Sequence, residues 1–444
     1  MEPGAFLSAP QSFRCIPALD AILFQILTNW RIEMHFLEEY LVKEVKPALG
    51  CTEPGAIAYC VSLAVGHLWD SVERVEVITS KSVYKNGMYV YIPGTGEKGN
   101  EVAAALGAIC GDPSLQLEAL KPCCAESVAL AREMIDSGRV TVRCDTSRTG
   151  IYIEALVKGS AHTTRVVIED HHTRVTLVER DGREIESDER AVENRDIDFT
   201  VEDIFKAVDE MTDGEIERIF EGINMNLEIA RYGLEKIVAP REKAEACESG
   251  SLGYRIRKYC LAASAARMTG APLPVMSSGG SGNQGIVATL PVVLVGMHHD
   301  KSRDEIAKAV AISHLFSSYL KRKLGRTAPI CGCVTAAGTG ASAGIVYLLG
   351  GDRSVMERAM ITVLSNTTGM MCDGAKESCS LKAGLGGQEA YSCALLAIDD
   401  LGIDSAQGFI APTLDKSIEN IQLLMSRGMS EIDNTIIELL EKRR

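Results

Sequence analysis

The sequence predicts an α+β protein, with an N-terminal α/β region carrying a small antiparallel sheet and a mostly helical domain after it. Three observations carry that reading. Residues 139–200 break into short stretches that alternate apolar and polar side chains, the period-two pattern of half-buried strands. From residue 201 the period lengthens, and apolar residues recur three or four apart almost to the end. The chain has 444 residues, 46% of them hydrophobic, which is enough for two domains or three.

The elements follow in order. Residues 1–33 are expected to form an N-terminal extension. Their apolar stretch "IPALDAILFQILTNW" (16–30) is broken by Asp20 and Asn29, follows a single basic residue, Arg14, and precedes no small-residue cleavage site, so it is a poor signal peptide. Met34 opens an amphipathic helix, and Gly50 and Pro54 mark a turn before an apolar helix at 55–68. "VERVEVITS" and "SVYKNGMYVYI" both alternate and are expected as strands joined near Lys81. "PGTGEKGN" reads as a loop, "EVAAALGAIC" as a helix of small residues, and 123–137 as a further helix. "VTVRCDT", "IYIEALVKG", "TTRVVIEDH" and "RVTLVERDG" supply the antiparallel sheet, and the acidic tract "ESDERAVENRDID" a solvated connection. Four helical patterns follow, beginning at "VEDIFKAVDEM", "DGEIERIFEG", "SLGYRIRKYC" and "SRDEIAKAVA", and an amphipathic helix from Ser430 closes the chain. The expected domains are therefore 34–200 and 201–444.

Charge narrows the function. With 46 basic against 60 acidic residues the net charge is −14, which repels nucleic acid at long range. No apolar run reaches the ~18 residues that a membrane helix needs. Fourteen cysteines in so long a chain do not resemble a secreted disulfide scaffold; a cytoplasmic protein would keep them reduced and bury most as small hydrophobes. That reading suits Cys60, Cys110, Cys260 and Cys393, which lie among apolar or small helical residues. It suits less well the glycine-flanked Cys51, Cys331, Cys333, Cys372 and Cys379.

Familiar catalytic signatures are missing. None of the eight histidines lies in a glycine-rich segment, and no G-x-S-x-G elbow, HExxH or phosphate-binding loop is present. "GTGASAG" imitates a dinucleotide loop but follows no strand. Three glycine-rich segments remain: 276–285, 330–344 and 365–384. Glycine there lets backbone approach a ligand, or simply lets helices pack closely. Cys331 and Cys333 form a C-x-C pair, with Cys372 41 residues beyond Cys331 and Cys379 seven after that. Thiols without matching histidines or carboxylates favour zinc or an iron–sulfur cluster, against chance clustering of buried cysteines.

Residues 330–395 resemble the C-terminal part of the iron–sulfur L-serine dehydratase alpha subunit, through Cys331, "AGIVYLLGG", "GMMCDG" and Cys379. The chain from Met34 is more closely similar to the L-cysteine desulfidase family, through "EVKPALGCTEPGAIA", "SVYKNGMYVYIPGTGEKG", "SSGGSGNQGI", "CGCVTAAG" and "GMMCDGAKESC". The resemblance implies a [4Fe-4S] enzyme that uses no PLP and converts L-cysteine to hydrogen sulfide, ammonia and pyruvate. Dehydration of L-serine or a related β-hydroxy amino acid is the alternative within that chemistry, and a non-catalytic metal-binding or sensor protein is the alternative outside it.

By the same resemblance Cys331, Cys372 and Cys379 are the cluster ligands, with Cys331 favoured over Cys333 by its distance from the shared double glycine. The last two cysteines stand closer together than in the dehydratases. Cys51 is a further ligand or an acid/base, the latter only if its pKa is lowered; Glu53 is a second base or merely a helix cap. The loop with Ser277, Ser278, Gly279, Ser281, Asn283 and Gln284 is expected to hold the carboxylate of a small amino-acid substrate. Lys85 and Asn86 add contacts to it or form a hairpin turn. Lys376 and Lys382 read as surface charge rather than Schiff-base lysines. The apolar and small-residue helices would serve equally to pair a homodimer or to pack internally.

Overall fold

The computed structural model describes residues 35–187, 197–241, 250–325 and 327–443. The expected extension at 1–33 and most of the acidic connection lie outside them.

Two hydrophobic cores organise the molecule. The first is α/β. Helix α2 (Thr52–Leu68) lies on a six-stranded sheet of β2 (Val72–Ser80), β3 (Val140–Asp145), β4 (Tyr152–Gly159), β5 (Thr163–Glu169), β6 (Val175–Arg180) and β7 (Arg183–Ser187). The order is β3-β2-β4-β5-β6-β7. All pairs are antiparallel except β2 with β3, where Val75 faces Val140 in parallel. A parallel pair needs a long crossover, supplied by α3 (Lys81–Gly87), α4 (Asn100–Cys110) and α5 (Ala125–Asp136).

The expected second strand over 82–92 is not formed, and its later half holds only an isolated bridge at Tyr91. Lys81–Gly87 is a helix, and its alternation is overridden by tertiary contacts. Val83 and Tyr84 are buried, and the Asn100 side chain donates to the Tyr84 carbonyl at 2.9 Å, anchoring the helix's last turn. Lys85 and Asn86 thus sit on a helix and not on a hairpin turn. Cys110 also departs from expectation, being bonded to Cys123 rather than free in the core; Cys60, Cys260 and Cys393 are fully buried as expected.

The second core is helical, formed by α6 (Val201–Asp209), α7 (Asp213–Gly233), α8 (Leu252–Met268), α9 (Gly282–His298), α10 (Arg303–Leu324), α11 (Gly332–Leu348), α12 (Arg353–Thr367), α13 (Cys379–Ile398) and α14 (Leu414–Leu423). Central helix α11 packs on α9, α10, α12 and α13 at once. Its "TAAGTGASAG" run is buried throughout, so those small residues serve close helix packing and bind no dinucleotide phosphate. The two ends of the described chain cross over. Helix α1 (Phe36–Glu44) buries Leu37, Tyr40 and Leu41 in the helical core, whereas α15 (Ile432–Glu441) buries Ile437 in the α/β core. Among the described residues no helix is long and apolar enough to cross a membrane.

Candidate functional site

Two short backbone pairings bring the sequence motifs together. Strand β1 (Pro47–Ala48) pairs antiparallel with β8 (Val275–Met276), which places "CTEP" beside "SSGGSGN". The Ser277 N–H and hydroxyl both donate to the Lys46 carbonyl, at 2.8 and 2.6 Å. Buried Asn226 of α7 accepts the Met276 N–H at 3.0 Å and fixes β8 from behind. Gly285 is required there, because a Cβ would lie 2.0 Å from the Met276 oxygen. The second pairing joins the two cysteine segments: the Cys331 N–H donates to the Met370 carbonyl and the Cys372 N–H to that of Pro329, both at 2.7 Å.

The pairings enclose a cavity of about 140 Å³ between the two cores. Four helices aim their N-termini at it: α2 starts after Cys51, α9 after Ser281, α11 after Cys331, and α13 at Cys379. Helix N-termini favour anions and thiolates. The overall charge is negative, yet Lys85, Arg267 and Lys321 all line this cavity.

Of the residues singled out in the sequence, Cys51, Glu53, Lys85, Asn86, Ser281, Asn283, Gln284, Cys331, Cys372 and Cys379 line the cavity, as does Cys333. Ser277, Ser278 and Gly279 lie behind its wall; Ser277 holds the β1–β8 pairing, and Gly279 faces a small recess beside Tyr40. Asn283 accepts from Ser264 of α8 at 3.0 Å, which ties two helices together. The Lys85 ammonium donates to the Cys372 carbonyl at 2.7 Å and to Asp433 of α15 at 2.6 Å, so it braces the cysteine loop. Asp373 receives both Lys376 and Lys382 at 2.6 Å. Burial would raise its pKa, but those two ammonium groups hold it down at about 2.

On the wall formed by α2, Cys51 donates to Glu53 Oε2 at 2.8 Å, and Asn86 donates to Oε1 at 2.7 Å. Burial and the Glu53 charge push the Cys51 thiol well up, against an opposing pull from Arg267. Burial would also raise Glu53, but His172 and the hydrogen bonds from Cys51 and Asn86 more than offset it, leaving a carboxylate below its ordinary range. The wall therefore presents a neutral thiol beside an ionised carboxylate, the reverse of the lowered-pKa thiol that a Cys51 base requires.

Elsewhere the lining carries four thiols, Cys331, Cys333, Cys372 and Cys379. Cys331 and Cys333 have their sulfurs 3.3 Å apart. A hydrogen bond from Cys333 lowers the Cys331 thiol despite burial, with help from Lys382, whereas the same bond raises Cys333. Burial raises Cys372 and Cys379, opposed by Lys85 and Lys376 respectively. Among the described residues, no three or more His, Cys, Asp or Glu side chains gather closely enough for a single metal ion. Thiols arrayed around a cavity fit a multi-iron cluster, in which each ligand binds its own iron, better than a zinc whose donors converge on one point. The all-sulfur donor set and the surrounding lysines fit an anionic iron–sulfur group.

Comparison with known proteins identifies the family. A family model described as "Serine dehydratase alpha chain" matches residues 114–438. The chain belongs to the serine dehydratase alpha chain family. Among its relatives, a UPF0597 protein of Kosmotoga olearia is 47% identical over 91% of this chain and 99% of its own length. UPF0597 proteins of Caldanaerobacter subterraneus subsp. tengcongensis and Geobacter sulfurreducens are 38% and 37% identical, each over 93% of this chain and at least 99% of their own length. For the serine dehydratase alpha chain family an iron–sulfur cluster is the implied cofactor, and lyase chemistry the implied reaction class.

Several lining residues escape the sequence reading, His172, Arg267 and Lys321 among them. His172 lies in no glycine-rich segment, and Arg267 falls in an ordinary helical pattern. The only signal for Arg267 is a lone basic residue inside "LAASAARM", a run of otherwise small or apolar residues.

Proposed function

We propose that this protein is a PLP-independent, iron–sulfur-dependent lyase that eliminates hydrogen sulfide from L-cysteine, giving pyruvate and ammonia. One observation carries the reading: an ionised carboxylate, Glu53, lines the same cavity as the buried thiol of Cys331 and the half-buried thiols of Cys372 and Cys379. Cys331, Cys372 and Cys379 would hold a [4Fe-4S] cluster, which when bound supplies a Lewis acid for the departing sulfur. Glu53, oriented by Asn86 and Cys51, takes the Cα proton. The Cα–H electron pair becomes the Cα–Cβ double bond as the Cβ–S bond breaks. The sulfur leaves with a proton as hydrogen sulfide, and the aminoacrylate tautomerises and is hydrolysed to pyruvate and ammonia. Cys51, protonated and bonded to Glu53, is a proton donor at the same carboxylate rather than a base. His172 and the hydrogen bonds from Cys51 and Asn86 keep the carboxylate ionised despite its burial.

Elimination of water from L-serine is the second reading, favoured by the family's own description. The deciding experiment is anaerobic reconstitution, with sulfide and pyruvate measured from L-cysteine and L-serine in parallel. Sulfide and pyruvate in equal amounts from cysteine support desulfidation; pyruvate from serine alone supports the dehydratase reading. A coloured protein that turns over neither would instead be a metal-binding or sensor protein. On the same reading the protein acts on a free amino acid in the cytoplasm, as two domains, with a homodimer as the assembly to test by light scattering.

A further inference from the structure

The Arg267 side chain is 3% exposed and makes no hydrogen bond or ion pair among the described residues; its Nε is buried without an acceptor. A buried guanidinium left alone is costly, so natural proteins pair it. Three surroundings show what the missing partner is. Arg267 lines the cavity, and its charge acts on the Cys51 thiol. Its guanidinium lies against Gly282, the first residue of α9, where a Cβ would come within 2.4 Å of Nε. Gln284 in the same first turn is 1% exposed and also has an unpaired donor, Nε2. A buried cation without an acceptor thus lies against the first turn of α9, and it opens on the same cavity that Gln284 of that turn lines.

We infer that Arg267 and Gln284 form a carboxylate-recognition site that restricts the cavity to free amino acids. The inference rests on the proposed amino-acid substrate but not on the elimination itself. A planar guanidinium and a carboxylate match in a two-pronged hydrogen bond, which a neutral amide does not reproduce. Specificity then arises because a ligand lacking the carboxylate leaves Arg267 buried and unpaired.

The test is calorimetric binding of L-alanine and L-alaninamide to the anaerobically reconstituted protein. Neither probe has a β leaving group, so binding is read without turnover. Wild type should bind alanine and discriminate against the amide. Arg267→Gln should weaken alanine ~100-fold and abolish the discrimination, while Arg267→Lys restores part of it. Gly282→Ala, which keeps the charge but crowds the guanidinium, should weaken alanine by a smaller factor and guards against a misfolded Arg267 variant. Equal binding of acid and amide by wild type, or unchanged alanine affinity in a folded Arg267→Gln, overturns the inference. Carboxylate-selective binding without sulfide or pyruvate release would leave this site standing and defeat the proposed reaction.

Discussion

Cys51 and Cys331 both stand at the N-cap of a helix whose first turn opens on the same cavity, yet their thiols are pushed in opposite directions. The helix field is common to both, so it is not what decides. Cys51 is bonded to a carboxylate, and burial beside that negative charge keeps its proton on. Cys331 accepts a hydrogen bond from the Cys333 thiol and lies near Lys382, so negative charge on its sulfur is stabilised. On the proposed function, the Cys51–Glu53 pair would hold and move a proton, and Cys331 would offer its sulfur as a ligand. The division also follows the fold, because α2 packs on the sheet while α11 is the centre of the helical core.

The comparison can be broken most sharply at Glu53. Glu53→Gln should lower kcat ~10³-fold while iron and sulfide content stay at wild-type levels. Because the Glu53 pKa is depressed, its carboxylate is present at ordinary pH and lost only on acidification. The acid limb of kcat/KM should fall below pH 4.5, the ordinary glutamate value, in any range where the protein stays folded. A limb near neutrality would assign the base to another group.

A smaller effect is expected from the Lys85 brace. Lys85 is 2% exposed, and Asp433 is its carboxylate partner. Asp433→Asn should cost roughly 3 kcal/mol in urea unfolding, by leaving a buried ammonium half-paired. It should also loosen the Cys372 loop, which would appear as faster loss of iron to a chelator. Smallest of all, Cys51→Ala should lower kcat ~10-fold with the chromophore intact, since it removes only one of the Glu53 hydrogen bonds.

Much of this architecture was legible in advance because helical and strand periods are local properties. The patterns from "VEDIFKAVDEM" onward became α6, α7, α8 and α10, and the four alternating stretches became β3 to β6. What escaped was decided by partners far along the chain. "SVYKNG" alternates like a strand, but Asn100 and the buried Val83 and Tyr84 make it a helix. Lys85 reads as a substrate cation until Asp433, 348 residues away, is seen to hold it. The cysteine, glutamate and glycine-loop motifs could be named as a set, but only the β1–β8 and Cys331–Cys372 pairings explain how they meet. Arg267 gave almost no signal, because a single buried cation in a helix has a meaning only once its missing partner is visible.

The most direct test counts iron and acid-labile sulfide per chain in anaerobically reconstituted alanine variants of Cys51, Cys331, Cys333, Cys372 and Cys379. The account predicts that the Cys331, Cys372 and Cys379 variants lose the cluster, while the Cys51 variant keeps it. Loss of iron from Cys51→Ala, or zinc without sulfide in the wild type, would contradict it.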